Sequence, residues 1–137
     1  MKNGQPEKLW HVVDAISTHY AAGIIYEGHI YGFHGHAWEA GGPSLHCIEA
    51  ATGKLVWEQP QAGSGTLVRF GDNLLILSDN GELQLAKASP KGFKLKGRVQ
   101  AVGRTTRSYP AIADGFAYIK GPRTLVCVDL RAGAGKR

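Results

Sequence analysis

What this chain lacks narrows its reading first. Nowhere in its 137 residues is there a run approaching the roughly 18 apolar positions of a membrane-spanning helix, which excludes a helical span within it. No window carries a 3.6-residue apolar period, so a helical core is excluded too. Ser17, Ser44, Ser64 and Ser108 are present, but no Gly-x-Ser-x-Gly surrounds any of them, which removes the strained nucleophile elbow. Gly133-Ala134-Gly135-Lys136 lacks the first Gly and the final Ser/Thr of a phosphate loop. Arginine is missing from residues 1–60, where three Lys face six acids, whereas residues 61–137 hold 13 basic residues against five acids. That lopsidedness gathers positive charge at Lys91, Lys94, Lys96, Arg98, Arg104 and Arg107. The cluster suits an anionic surface, and it equally suits an exposed outer strand whose lysines deter unwanted pairing. A nucleic-acid partner is not expected.

What is present is punctuation. Nineteen glycines separate short apolar stretches, and three kinds of element recur. Glu7-Lys8-Leu9-Trp10 matches Lys54-Leu55-Val56-Trp57 in its Lys-Leu and its Trp. A turn followed by an apolar strand appears as Glu27-Gly28-His29-Ile30-Tyr31, Asp72-Asn73-Leu74-Leu75-Ile76 and Asp114-Gly115-Phe116-Ala117-Tyr118. Leu45-His46-Cys47 returns as Leu83-Gln84-Leu85 and Leu125-Val126-Cys127. Spacings near 40–45 residues with about four strands per unit indicate an all-β partial β-propeller. Two full four-stranded blades are predicted, with incomplete flanking blades. The propeller segment runs over 7–131, with blades near 21–59, 64–100 and 106–131. Strands are expected near 21–26, 28–33, 44–49 and 54–59, then 65–70, 73–78, 82–87 and 92–99, then 109–113, 115–120 and 124–130. The 7–10 stretch reads as the last strand of a preceding blade. Because a propeller closes with about four to eight blades, the chain is expected to be the C-terminal part of a larger protein, ending in a disordered tail over 132–137.

Cys47 and Cys127 fall at matching places, each two residues after a Leu on one strand face, and Leu85 fills that place in the middle unit. A site that accepts Cys or Leu is an apolar core site, so both are predicted to be free, buried thiols. His34 and His36 lie two apart, as a metal site can use, with His29 and His46 near in sequence, but only Glu39 is a nearby acid. They read as polar lining of a lengthened loop, 34–43. Trp38 breaks the repeat and lies in that loop, so His34, His36 and Trp38 form the candidate contact loop. Asp79 and Asp114 are explained by hairpin turns rather than by acid–base chemistry. No catalytic, cofactor or metal residue is assigned.

Ala50-Ala51-Thr52-Gly53-Lys54-Leu55-Val56-Trp57, with Leu45-His46-Cys47-Ile48-Glu49-Ala50 before it, resembles the core of the pyrroloquinoline-quinone-type propeller repeat. Leu125-Val126-Cys127-Val128-Asp129-Leu130 is similar to the same third strand. In the middle unit Lys87-Ala88-Ser89-Pro90 replaces the Thr-Gly turn. The resemblance implies that Gly53, Trp57 and Trp10 dock neighbouring blades. The family's dehydrogenases hold the quinone and calcium with an adjacent-cysteine disulfide, a catalytic Asp and further metal ligands, none of which can be matched here. The chain is therefore more similar to the non-catalytic branch, which resembles the bacterial outer-membrane-protein assembly lipoprotein. That branch implies a protein-interaction scaffold in the periplasm or cell envelope. The alternatives are a fragment of a quinone-dependent alcohol or sugar dehydrogenase, with PQQ and calcium as cofactors, and a polysaccharide-binding propeller using Trp38.

Overall fold

A computed structural model describes residues 3–18, 20–104 and 106–131. The 132–137 tail lies outside them. The described residues contain no helix, so none is long and apolar enough to cross a membrane. They form three antiparallel sheets, each in simple sequence order. The first joins β1 (Ile24–Tyr26), β2 (His29–His34), β3 (Ser44–Glu49) and β4 (Leu55–Gln59). The second joins β5 (Gly65–Phe70), β6 (Asn73–Ser78), β7 (Glu82–Lys87) and β8 (Lys94–Gln100). The third has three strands, β9 (Ala111–Ala113), β10 (Phe116–Lys120) and β11 (Leu125–Asp129).

The three sheets are copies of one register. Tyr31 pairs with Cys47 and Cys47 with Trp57, while Leu75 pairs with Leu85 and Leu85 with Gly97. In the third sheet Tyr118 pairs with Cys127. The register shifts directly after Cys47 and again directly after Leu85, so even the bulge repeats. Equivalent main-chain bonds close each unit: Ala50 N to Gly28 O at 2.9 Å, Ala88 N to Asp72 O at 3.0 Å and Leu130 N to Gly115 O at 2.8 Å.

The second sheet lies between the other two, which is why β6 is buried along its whole length and its 74–77 run is apolar without alternation. Successive side chains of a strand point to opposite faces. Leu74 and Ile76 pack with Tyr31, Phe33, Leu45 and Cys47 of the first sheet. Leu75 and Leu77 pack with Ala117 and Ile119 of the third. Full burial of each such leucine contributes about 2 kcal/mol. The segments that enter β1 and β9 meet each other and β5: Ala22 N donates to Tyr109 Oη at 2.7 Å, and Thr66 Oγ1 to Ser108 O at 3.0 Å. The outermost strands face solvent, β8 throughout.

Between the first two sheets the seam is closed by Trp57. Its indole N–H donates to Ser89 O, 2.8 Å away, on the β7–β8 turn, and its ring packs against Tyr31 and Phe93 at centroid distances of 6.0 and 6.4 Å. Trp10 makes the corresponding bond to the β3–β4 turn, donating to Ala50 O at 3.0 Å. Gly53 holds that turn at φ 74°, where a Cβ would come within 2.8 Å of the Trp10 ring.

Two expectations need correcting. Residues 6–12 carry no strand; Gln5 before them forms a single bridge, and Trp10 anchors the segment through its side chain. Cys127 is exposed, whereas Cys47 is buried; both are free. β11 is the outer strand of a three-stranded sheet, so its side chains lack the cover that β4 gives Cys47.

Candidate functional site

The loop between β2 and β3 is built by its own backbone. Glu39 N donates to His36 O and Gly42 N to Glu39 O, both at 3.0 Å, while His36 N donates to the Glu39 carboxylate at 2.9 Å. Glu39 is thus a cap for its own loop. The fold brings His36 and Trp38 together, their rings stacked at 4.5 Å and 9°. Trp38 is 73 % exposed.

His34 is elsewhere. Its Nδ1 lies 3.0 Å from Ser17 Oγ, and its ring stacks on His46 at 4.6 Å. His46 in turn donates from Nδ1 to Ala15 O at 2.6 Å, leaving Nε2 to accept from Ser44 Oγ at 2.9 Å. This histidine pair ties the 15–17 segment to the first sheet, and it forms no metal cage. Among the described residues no group of three or more His, Cys, Asp or Glu side chains is gathered for a metal ion.

His36 and Trp38 line one side of a cleft of about 500 Å³ whose other walls are Tyr20, Ser64, Asp79 and Arg107. Four segments supply them, Tyr20 lying on the one that precedes β1. Ser64 precedes β5, Asp79 begins the β6–β7 turn, and Arg107 lies on the linker to β9. Backbone bonds fix their meeting: Asp79 N donates to Ser64 O at 2.8 Å, and Thr106 N to Asp79 O at 3.2 Å. The Arg107 guanidinium lies over the Tyr20 ring at 5.4 Å from its centroid, inside the reach of about 6 Å for such a pair. The Tyr20 hydroxyl is buried with no hydrogen-bond partner among the described residues. Burial, then the Asp79 carboxylate, push its pKa above the ordinary phenol range, so it stays a neutral donor. A second depression of about 290 Å³ continues from Asp79 and Arg107 to Asn80 and Arg104.

The arrangement offers a planar aromatic face, a cation, a carboxylate and an unsatisfied hydroxyl in one concavity. These groups suit binding. Tyr20, Ser64 and Arg107 carry no motif in the sequence, and Asp79 reads there only as a turn residue. The basic cluster divides: Lys94, Lys96 and Arg98 run along β8, whereas Arg107 lines the cleft and Arg104 the depression beside it. Neither a protein-family model nor a curated protein matches this chain.

Proposed function

We propose that the chain is a stretch of a non-catalytic β-propeller of the pyrroloquinoline-quinone type, acting as an interaction scaffold that holds a polypeptide partner in the Tyr20–Trp38–Arg107 cleft. Its units are blades in this reading, and the indoles of Trp10 and Trp57, each bonded to a turn of the following blade, are the docking contacts. The observation that carries the function is the cleft itself. An exposed indole stacked on His36 supplies apolar contact, Arg107 and Asp79 supply charge of both signs, and the Tyr20 hydroxyl waits for an acceptor. Polypeptides offer all of these complements together.

Peptides selected from a random display library against this protein are expected to lose binding about tenfold or more with Trp38→Ala or Arg107→Ala, a loss of roughly 1.4 kcal/mol. Selected peptides that bind both variants unchanged would sink the reading. Titration with pyrroloquinoline quinone and calcium tests the dehydrogenase alternative, and stoichiometric uptake would replace the scaffold with it. One observation favours a polysaccharide as the second reading: most of the Trp38 indole is exposed, and sugars stack on exposed indoles. Binding to a polysaccharide panel, abolished by Trp38→Ala, would select it.

A further inference from the structure

The seam between the second and third sheets has the frame of the seam before it, but not its indole. Register pairing makes Gly97 the counterpart of Trp57: Trp57 faces Cys47 and Tyr31, and Gly97 faces Leu85 and Leu75. One main-chain bond that precedes the indole-receiving turns recurs in the third sheet. Leu130 bonds to Gly115 O as Ala50 bonds to Gly28 O, and it was Ala50 O that accepted the Trp10 N–H. A Cβ built on Gly97 would meet nothing within 4 Å, and its backbone is outside the left-handed region. The space is a groove of about 500 Å³ lined by Leu85, Val99, Val128 and Leu130, with Arg98 and Arg131 at its rim. That volume lies in the range of roughly 300–1,000 Å³ usual for sites that enclose an organic group.

We infer that this groove is a binding site for a tryptophan side chain presented by an acidic polypeptide segment of another molecule. The aromatic part follows from the molecule's own precedent, since the same framework encloses an indole where Trp57 is present. All three indoles of this chain are placed elsewhere: Trp10 on the β3–β4 turn, Trp57 in the first seam and Trp38 on its loop. The acidic part follows from charge. Lys96, Arg98 and Arg131 border the groove against one acid, Asp129, which is paired with Arg131. The adjoining β8 face adds Lys94 and is exposed along its length. A buried ring with carboxylates around it matches both features. This site lies in a different seam from the Trp38 cleft and uses none of its residues.

The probe is acetyl-Asp-Glu-Trp-Glu-Asp-amide carrying fluorotryptophan, titrated with the full chain at low salt and followed by fluorine NMR. Binding is expected to be lost with Gly97→Trp, whose own indole fills the groove, and weakened about tenfold with Arg98→Glu, an exposed change that leaves the fold intact. The same peptide with Ala in place of Trp is expected not to bind. Binding of the Trp peptide that survives Gly97→Trp in a variant with unchanged circular dichroism overturns the site. Equal binding of the Ala peptide overturns the aromatic part, and indifference to Arg98→Glu overturns the acidic part. No binding by the unmodified protein overturns the whole.

Discussion

The two seams of this molecule share a framework and differ at one register position. Between the first and second sheets, Trp57 spans the gap, packing on Tyr31 and Phe93 and bonding to Ser89 O. Between the second and third, Gly97 occupies that position and a groove of about 500 Å³ remains. Yet both seams pack tightly deeper in, through Leu74 and Ile76 on one face of β6 and Leu75 and Leu77 on the other. The difference teaches that the β6 side chains hold the sheets together, while the outer indole is an additional clasp that one seam has and the other omits.

Removing that clasp is the strongest way to break the comparison. Trp57→Ala is expected to destabilise the protein by about 3 kcal/mol, the low end for a large aromatic because the ring is only half-buried. Trp57→Phe keeps most of the packing and loses the bond to Ser89 O, so a smaller loss of about 1 kcal/mol is expected. Urea midpoints of the two variants check both values. Equal losses would assign the effect to the hydrogen bond alone.

Gly53→Ala attacks the matching contact on the first sheet. A side chain there meets two penalties at once, a φ of 74° and a Trp10 ring atom 2.8 Å from its Cβ. A loss of about 2 kcal/mol is expected, above the roughly 1 kcal/mol that backbone conformation alone would cost. Combining it with Trp10→Ala relieves the crowding, so the two losses should fall short of additive in a double-mutant cycle.

How far these contacts were legible in the sequence depends on what kind of signal each left. Strands were legible because turn chemistry marks both ends: Asp72-Asn73 and Asp114-Gly115 stand where β6 and β10 begin, and Thr52-Gly53 stands before β4. Glu7-Lys8-Leu9-Trp10 revealed its kinship with the 54–57 stretch but not its lack of a ladder, since a sequence match cannot supply a neighbouring strand. Cys127 misled for a related reason. Its likeness to Cys47 and Leu85 is genuine in register, but burial also needs a covering strand, and the third sheet has three strands where the others have four. The Trp38 cleft was half legible, as an insertion into the repeat. Tyr20, Ser64, Asp79 and Arg107 were not, because only loop convergence brings residues so far apart in sequence to one wall. Gly97 did leave a signal: lining up Leu45-x-Cys47 with Leu83-x-Leu85 and adding the shared bulge sets it opposite Trp57.

The two cysteines sharpen the contrast between covered and uncovered sheets. Cys127 is exposed and is expected to react with iodoacetamide in the folded protein at neutral pH. Cys47 is buried, and burial pushes its thiol up to about 11, so it should react only on unfolding. Mass spectrometry of the labelled peptides distinguishes them, and equal labelling rates would contradict the placement. The same shift has a stability consequence. The folded value lies above the ordinary 9.0, so the folded state holds this proton more tightly and stability falls as pH rises from about 9 through about 11. Tyr31, raised mainly by burial, adds to the fall at the alkaline end. Cys47→Val is expected to remove the Cys47 part of that slope and, since the thiol also helps raise Tyr31, to leave only the part of Tyr31 that burial mainly causes.

Gly97→Ala is the gentlest probe of the open seam. Glycine weakens a strand because it loses the most backbone freedom on folding, and here its replacement meets no atom within 4 Å. The substitution should therefore stabilise the protein by about 0.5 kcal/mol, chiefly by restricting the unfolded chain. A rise in urea midpoint with an unchanged denaturant slope is the expected result. Loss of stability instead would mean that the seam closes over Gly97 in solution, with Val128 or Leu130 moving into the space that Trp57 fills in the other seam. The sign of this small change thus separates a standing groove from a collapsed one, which the larger Trp57 substitutions do not.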